Sequence, residues 1–229
     1  MKKVHIALLG LAILLCTALF ATTTLNLDLR SFLSQAKPQP KRYCISAESK
    51  NILIDQGISP EGLSAFIKSF PEKQCPTHFR HIFVDFNKSN LKPRLFVFDI
   101  RENHTGVIYK AQVAHGVKSG SRKYASRFSN IVGSNQSSLG IYKILSKVKR
   151  TTAPFSFPLK GLDKTLNSHA FKRNITIHQA KYVKSSYVGR SEGCFAISMK
   201  SIKQLDALNV ENGYLFAYHK SLQHTARSF

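Results

Sequence analysis

The chain of 229 residues is short of acidic side chains. It has 12 Asp and Glu against 34 Lys and Arg, which gives a formal net charge of +22. A field of this sign attracts anionic polymers such as nucleic acids, acidic lipid headgroups or cell-wall glycans. A bias in composition, or a need for solubility, would give the same excess. The charge therefore narrows the class of partner without identifying it.

Several motifs that carry chemistry are also missing. No His or Cys residues are paired at the close spacing of a metal site, which argues against a metal centre. The sequence has no glycine-rich phosphate loop and no Gly-x-Ser-x-Gly nucleophile elbow. Basic residues are not interleaved with aromatic ones as in a base-stacking stripe, so no nucleic-acid partner is expected.

The N-terminus has the pattern of an export signal. Lys2 and Lys3 precede an almost unbroken apolar run from Ile6 to Ala21, and small residues follow it. We expect cleavage after Ala21, so that residues 1–21 are a signal peptide and the protein is exported. The alternative is an uncleaved anchor, which would keep the chain in contact with a membrane.

Few cysteines remain after such a signal. Cys44, Cys75 and Cys194 are left, and an oxidising compartment permits a disulfide between the first two. In the chain-entropy model, closing a loop of that size stabilises by about 3–4 kcal/mol. The alternative is that Cys44 and Cys75 are both free and buried. With that disulfide formed, Cys194 is an unpaired thiol, which in an exported protein is a candidate reactive group.

The rest of the chain divides into three segments by pattern. Residues 22–43 have no periodicity and carry two prolines near their end, which is typical of a linker. Residues 44–77 predict a small helical appendage, in which Ser59 is an N-cap and Pro60 is the first helical residue. Residues 78–229 predict the main domain.

The main domain is predicted to be built mostly from strands. Its apolar residues alternate with period two in β-branched or aromatic runs, and short turns separate them, which indicates a mainly antiparallel core. Strands are predicted over residues 81–86, 94–100, 107–114, 141–145, 174–178 and 214–218. A helix is predicted from Met199 to about Leu208, and a long polar loop over 116–140. The fold class is therefore β-rich α+β, with all-β as the alternative.

The stretch Gly189-Arg190-Ser191-Glu192-Gly193-Cys194 carries the clearest chemical signal. A catalytic thiol needs a base and donors for an oxyanion. Gly193 lets the backbone approach a substrate closely, and the N–H groups of Gly193 and Cys194 are candidate oxyanion donors. Arg190 would favour the thiolate, whereas Glu192 would oppose it. The sequence therefore predicts a nucleophilic cysteine.

His178 is the preferred base for this thiol, because it ends a predicted strand and so has a rigid mount. It is one of nine histidines, so being a histidine is by itself weak evidence for a catalytic role. His115, which ends the run Val113-Ala114-His115, is the competing candidate. It would otherwise be a polar residue at a strand end that lines the same cleft.

Together these residues resemble the catalytic domain of the L,D-transpeptidase family, with its YkuD-type fold, and most closely the murein L,D-transpeptidase subfamily. That subfamily has an Ile-His strand end, here Ile177-His178, followed by a Gly-Arg-Ser-x-Gly-Cys motif, here Gly189 to Cys194. The Val-Ala-His-Gly strand end at 113–116, the Ser- and Gly-rich stretch after it and the pair Asp85-Phe86 also match. Glu192, Phe195, Ala196 and Ser198 depart from residues common in the family, and they leave the nucleophile and the base unchanged.

The resemblance implies a β-sandwich-like core and a cysteine enzyme that acts on peptidoglycan stem peptides in the periplasm or cell envelope of a bacterium. Cys194 would form a thioester with the donor stem and transfer it to an amine acceptor, with His178 as base and then acid. Ser191 would help to orient the site. With water as acceptor the activity would be that of an L,D-carboxypeptidase or endopeptidase. No metal or organic cofactor is implied.

Binding of the carboxylates in such a substrate would fall to basic side chains. Arg190, His115 and Lys123 in the long loop are the candidates, although the two charged residues could equally be solvated surface groups. A second class of function rests on the charge alone, namely a non-catalytic basic protein that binds the cell wall.

Overall fold

A computed structural model describes residues 45–70, 80–101, 104–151 and 154–222. The predicted signal peptide, the predicted linker and both members of the predicted Cys44–Cys75 disulfide lie outside the described residues. All described residues belong to one compact unit. None of the described helices is both long and apolar enough to cross a membrane. The proposed division into signal, linker, appendage and catalytic domain stays a prediction.

The described chain forms three helices and ten strands. They are α1 (Ala47–Asp55), α2 (Pro60–Lys68), β1 (His81–Asp85), β2 (Leu95–Arg101), β3 (His104–Ala111), β4 (Gly140–Ile144), β5 (Ser156–Gly161), β6 (Thr176–Gln179), β7 (Val183–Lys184), β8 (Tyr187–Val188), β9 (Phe195–Ile197), α3 (Met199–Ala207) and β10 (Tyr214–Tyr218). The predicted β-rich α+β class is confirmed.

Eight of the strands form one continuous sheet in the order β3-β2-β1-β10-β4-β5-β6-β9. Its pairs are antiparallel except for β1 with β10 and β6 with β9, which are parallel. Strands β7 and β8 make a separate hairpin. The β-sandwich-like core therefore takes the form of a single sheet, at one end of which β6 and β9 lie side by side.

Both faces of the central strands are buried. In β1, Ile82 and Val84 belong to the core on one side of the sheet, whereas Phe83 belongs to the core on the other. Helix α3 covers the first side with Ile202 and Leu205. Because every residue of β1 is buried, its apolar residues Ile82, Phe83 and Val84 are consecutive and do not alternate with polar ones.

Helix α2 covers the second side. It begins at Pro60 with Ser59 as its N-cap, as predicted, although within the described residues the Ser59 hydroxyl makes no capping bond. Phe66 is buried and packs edge-on against Phe98 of β2. Gly62 lets the helix approach β1 closely, since a Cβ there would clash with the Phe83 ring. The predicted helical segment thus packs directly on the sheet.

We expect the substitution Phe66→Ala to lower the free energy of unfolding by about 3–5 kcal/mol, because it removes a fully buried ring and leaves a cavity between α2 and the sheet. Urea unfolding followed by circular dichroism measures it. Phe171→Ala is the matched control, since that ring is 63% exposed and its loss should cost no more than about 0.5 kcal/mol. Equally small effects of both substitutions would contradict an integral role for α2.

Candidate active site

The pairing of β6 with β9 brings the two predicted reactive residues together. In this parallel pair Ile177 lies opposite Phe195 and His178 lies opposite Ala196. Cys194 immediately precedes β9, so it lies diagonally from His178 and beside Thr176. The sequence prediction that His178 and Cys194 share a site agrees with this register.

The Cys194 thiol is partly exposed and has two hydrogen-bond partners. It donates to the Asn174 carbonyl over 3.5 Å and accepts from the Thr176 hydroxyl over 4.0 Å. Burial raises the pKa of the thiol, and this outweighs the bonds from Thr176 and the charges of Arg150 and Arg173, which all lower it. The resting thiol is therefore protonated at neutral pH and needs a base to react.

His178 is suited to be that base. Its Nδ1 donates to the Gln179 carbonyl over 2.9 Å, which leaves Nε2 as the proton acceptor. Burial lowers the pKa of His178, the bond to Gln179 raises it and the charge of Arg150 lowers it, so the net shift is downward. The ring is thus neutral at neutral pH. Among the described residues, the hydrogen bonds of the Cys194 sulfur do not include one to His178. In the resting protein the thiol therefore does not donate directly to its base.

A tight turn holds the cysteine in position. The Ser191 hydroxyl donates to the Cys194 carbonyl over 2.7 Å and accepts from the Gly193 N–H over 3.1 Å. Gly193 has a φ of +126°, and a Cβ there would lie 2.9 Å from the Gln136 carbonyl. Ser191 therefore orients the turn from within. In this conformation the Gly193 N–H is bonded to the Ser191 hydroxyl, and its role as an oxyanion donor stays a prediction.

His115 does not line the site through its side chain. It is 0% exposed, its Nδ1 accepts from Arg94 over 2.9 Å and its Nε2 donates to the Ser121 carbonyl over 2.9 Å. These contacts contradict both predictions for His115, namely that it contacts substrate and that it is the alternative base. Burial and the Arg94 charge lower the pKa of His115 to about 4, so it is a neutral structural group.

The backbone around His115 supports the cysteine turn from outside. The His115 carbonyl accepts from the Ser191 N–H over 2.9 Å, and Val117 donates to the Ser191 carbonyl over 2.7 Å. One residue earlier, Ala114 donates to the Ala196 carbonyl of β9 over 2.8 Å. The Val-Ala-His-Gly motif therefore runs along the outer edge of β9.

The two remaining predicted binding residues are exposed. Arg190 donates to the carbonyls of Val117 and Gly120, and its charge acts on His115. The cations that favour the Cys194 thiolate are Arg150 and Arg173, so the prediction that Arg190 does so is wrong. Lys123 is exposed in the long loop. Substrate binding by Arg190 and Lys123 stays a prediction.

Sequence reasoning missed three residues beside the thiol. Arg173 anchors the long loop beneath the cysteine by donating to the Ser129 and Gln136 carbonyls and to two serine hydroxyls. Thr176 could have been found, since it precedes His178 by two residues and so shares its face of β6. Arg150 gave no local signal, because it reaches Thr176 from a separate segment of the chain.

The described residues contain no group of three or more His, Cys, Asp or Glu side chains that could hold a metal ion.

Residues 55–218 match the family model described as the L,D-transpeptidase catalytic domain. The match spans most of the chain and includes every residue of the site, so the chain belongs to the L,D-transpeptidase catalytic-domain family. A comparison with curated proteins gave no significant match.

Solved structures of low identity also match. The helical cell shape determining protein Pgp2 of Campylobacter jejuni matches with a TM-score of 0.45 and 12% identity over 62% of this chain and 48% of that chain. L,D-transpeptidases of Xylanimonas cellulosilytica (TM-score 0.38, 9% identity, 68% of each chain) and Stackebrandtia nassauensis (TM-score 0.39, 16% identity, 79% of this chain and 80% of that chain) match as well. The chain spans about half the length of Pgp2.

We expect Thr176→Val to raise the pKa of the Cys194 thiol further, because it removes a hydroxyl bond that stabilises the thiolate. Alkylation of Cys194 by iodoacetamide at neutral pH should slow by about 2–10-fold. The rate is read on the Cys194 peptide by mass spectrometry across a pH series. Thr165→Val is the control, since that hydroxyl bonds to Asp163. An unchanged pH profile would contradict the assignment.

The buried His115 predicts a loss of stability in acid. Its pKa of about 4 lies below the ordinary value of 6.5, so the unfolded chain binds the extra proton more readily. Its contribution is complete above pH 6.5 and is lost as the pH falls to about 4, which we expect to lower the free energy of unfolding by about 2–3 kcal/mol. Urea unfolding at several pH values measures this. A fall of the same size in His115→Gln would contradict the assignment.

Proposed function

We propose that this protein is an exported cysteine enzyme that acts on peptidoglycan stem peptides as an L,D-transpeptidase. The observation that carries the proposal is the pair of a protonated thiol and a neutral imidazole at the β6–β9 pairing, within a domain of this family. Export rests on the N-terminal sequence pattern. The net charge of +22 suits a substrate rich in carboxylates.

The first half of the reaction is acylation of Cys194. Nε2 of His178 takes the thiol proton as the sulfur attacks the carbonyl that links the third residue of the stem to a terminal D-alanine. An S–C bond forms, and the tetrahedral intermediate then loses its C–N bond. His178 returns the proton to the leaving amine, so D-alanine departs neutral overall and a thioester remains.

The second half releases the acyl group. The amine of a second stem attacks the thioester carbonyl, His178 takes a proton from the attacking nitrogen, and the C–S bond breaks to regenerate the protonated thiol. Water in the same position would give carboxypeptidase activity instead. The two outcomes use the same residues and differ only in the acceptor, so the choice depends on which acceptor reaches the thioester.

The test is incubation of the full chain with purified tetrapeptide muropeptides, followed by mass spectrometry. We expect an acyl adduct on the Cys194 peptide with loss of D-alanine, and products that carry either an amine acceptor or water. Cys194→Ala should abolish the adduct. His178→Gln should slow acylation by about 100-fold or more, since it removes the base.

His169→Gln is the matched control, because His169 is an exposed histidine outside the site. It should react like the unchanged protein. The proposed enzymatic function would be refuted if the unchanged protein binds peptidoglycan but forms no adduct and no product, and if its thiol is inert to alkylation. That result would favour a non-catalytic basic protein that binds the cell wall.

A further inference from the structure

Arg150 is an exposed cation that lies beside both reacting groups. Its Nη1 donates to the Thr176 hydroxyl over 3.5 Å, and that hydroxyl in turn donates to the Cys194 sulfur over 4.0 Å. Two hydrogen-bond steps therefore separate the guanidinium from the sulfur. Its charge also acts on both Cys194 and His178. Arg150 thus borders the space in which a substrate would meet the thiol.

The charge of Arg150 is not neutralised by a described partner. The ion pairs among the described residues are Arg101 with Asp99 and Lys147 with Asp206. A guanidinium has five N–H donors, and the single described bond of Arg150, to Thr176, is a long one. Arg150 is therefore equipped to bind an anion that arrives from solution.

The other cation near the thiol is committed elsewhere. Both terminal nitrogens of Arg173 donate to oxygen atoms of the long loop, namely to Ser129 and Ser138 from Nη1 and to Ser134 and Gln136 from Nη2. Arg173 thus serves to hold the loop. Of the two arginines whose charges reach Cys194, Arg150 is the one with donors to spare.

We propose that Arg150 binds the terminal carboxylate of the amino acid that the enzyme releases from its donor stem. The inference rests on the proposed function, in which His178 protonates the leaving nitrogen. In a C-terminal residue the carboxylate is two covalent bonds from that nitrogen, so its partner must lie near His178. Arg150 meets this condition through its contact with Thr176, two residues before His178 on the same strand, and through its charge on His178. The planar fork of a guanidinium matches a carboxylate.

This assignment makes the enzyme selective for stems with a free C-terminus. A stem whose terminal carboxyl is amidated, or already joined to another stem, offers Arg150 no anion. Such stems should bind less tightly and react more slowly even though the bond to be broken is the same. The residue therefore sets which part of the peptidoglycan is a donor.

The test compares a tetrapeptide muropeptide that ends in D-alanine with the same compound ending in D-alaninamide. Binding is measured by calorimetry in the full chain carrying Cys194→Ala, with and without Arg150→Gln. We expect the acid to bind about 10–100-fold more tightly than the amide, and Arg150→Gln to remove that preference by weakening only the acid. Arg150→Lys should retain part of it.

Lys149→Gln is the matched control, because it removes the same charge from the neighbouring exposed residue. It should leave the preference intact. With Cys194 present, the rates at which D-alanine is released from the acid and D-alaninamide from the amide give a second ratio. A change in the thiol pKa affects both substrates equally, so this ratio isolates recognition of the carboxylate.

Equal affinity for acid and amide, binding of neither, or equal weakening of both by Arg150→Gln would overturn the inference. A preference for the acid that depends on Arg150, with no release of D-alanine by the unchanged protein, would support the inference as a carboxylate site and would overturn the proposed catalytic function instead.

Discussion

The site depends on the register of the parallel pairing between β6 and β9. Cys194 and His178 lie in different segments, and only the alignment of Ile177 with Phe195 brings them to adjacent positions. A slip of one residue would turn the side chains of one strand to the opposite face and separate the pair. Much of the surrounding structure, including the Ser191 turn and the bond from Ala114 to Ala196, fixes that register.

Burial raises the pKa of the Cys194 thiol and nearby positive charges lower it, and the effect of burial is the larger. Two arginines favour the thiolate, yet Arg150 also disfavours a charged His178, so a thiolate–imidazolium pair gains little from it. The resting protein keeps both groups neutral in spite of the large positive charge of the chain. A protonated thiol is a poor target for oxidants, which agrees with the proposed export of the protein to an oxidising compartment.

The motif residues and most of the longer regular elements could be predicted from the sequence, because they depend on local pattern. The helix predicted from Met199 begins there, with the Ser198 hydroxyl as its cap, and the strand predicted over 214–218 has those bounds. Strand β5 was missed, since Pro158 lies in its interior and proline usually argues against a strand. Strands β7, β8 and β9 were missed as well, since each has only two or three residues and so shows no periodicity.

What could not be predicted depends on contacts between distant segments. The roles of Arg150 and Arg173 follow from where the chain after β4 and the turn before β6 come to lie. His115 is buried together with Arg94, to which it is hydrogen-bonded. Histidine and arginine are usually at least partly exposed, so the sequence does not indicate this burial. Local pattern identifies the nucleophile and its base, whereas tertiary packing decides which cations reach them.

Strand β9 ends the sheet, yet its outer edge is already occupied. The segment from Ala114 to Val117 donates to the carbonyls of Ala196 and Ser191, so those acceptors are unavailable to another chain. This protects the thiol-bearing edge against edge-to-edge aggregation. It also means that a peptide cannot dock there by β-augmentation. For the proposed reaction, this leaves recognition of the donor stem to side chains instead of to a backbone ladder.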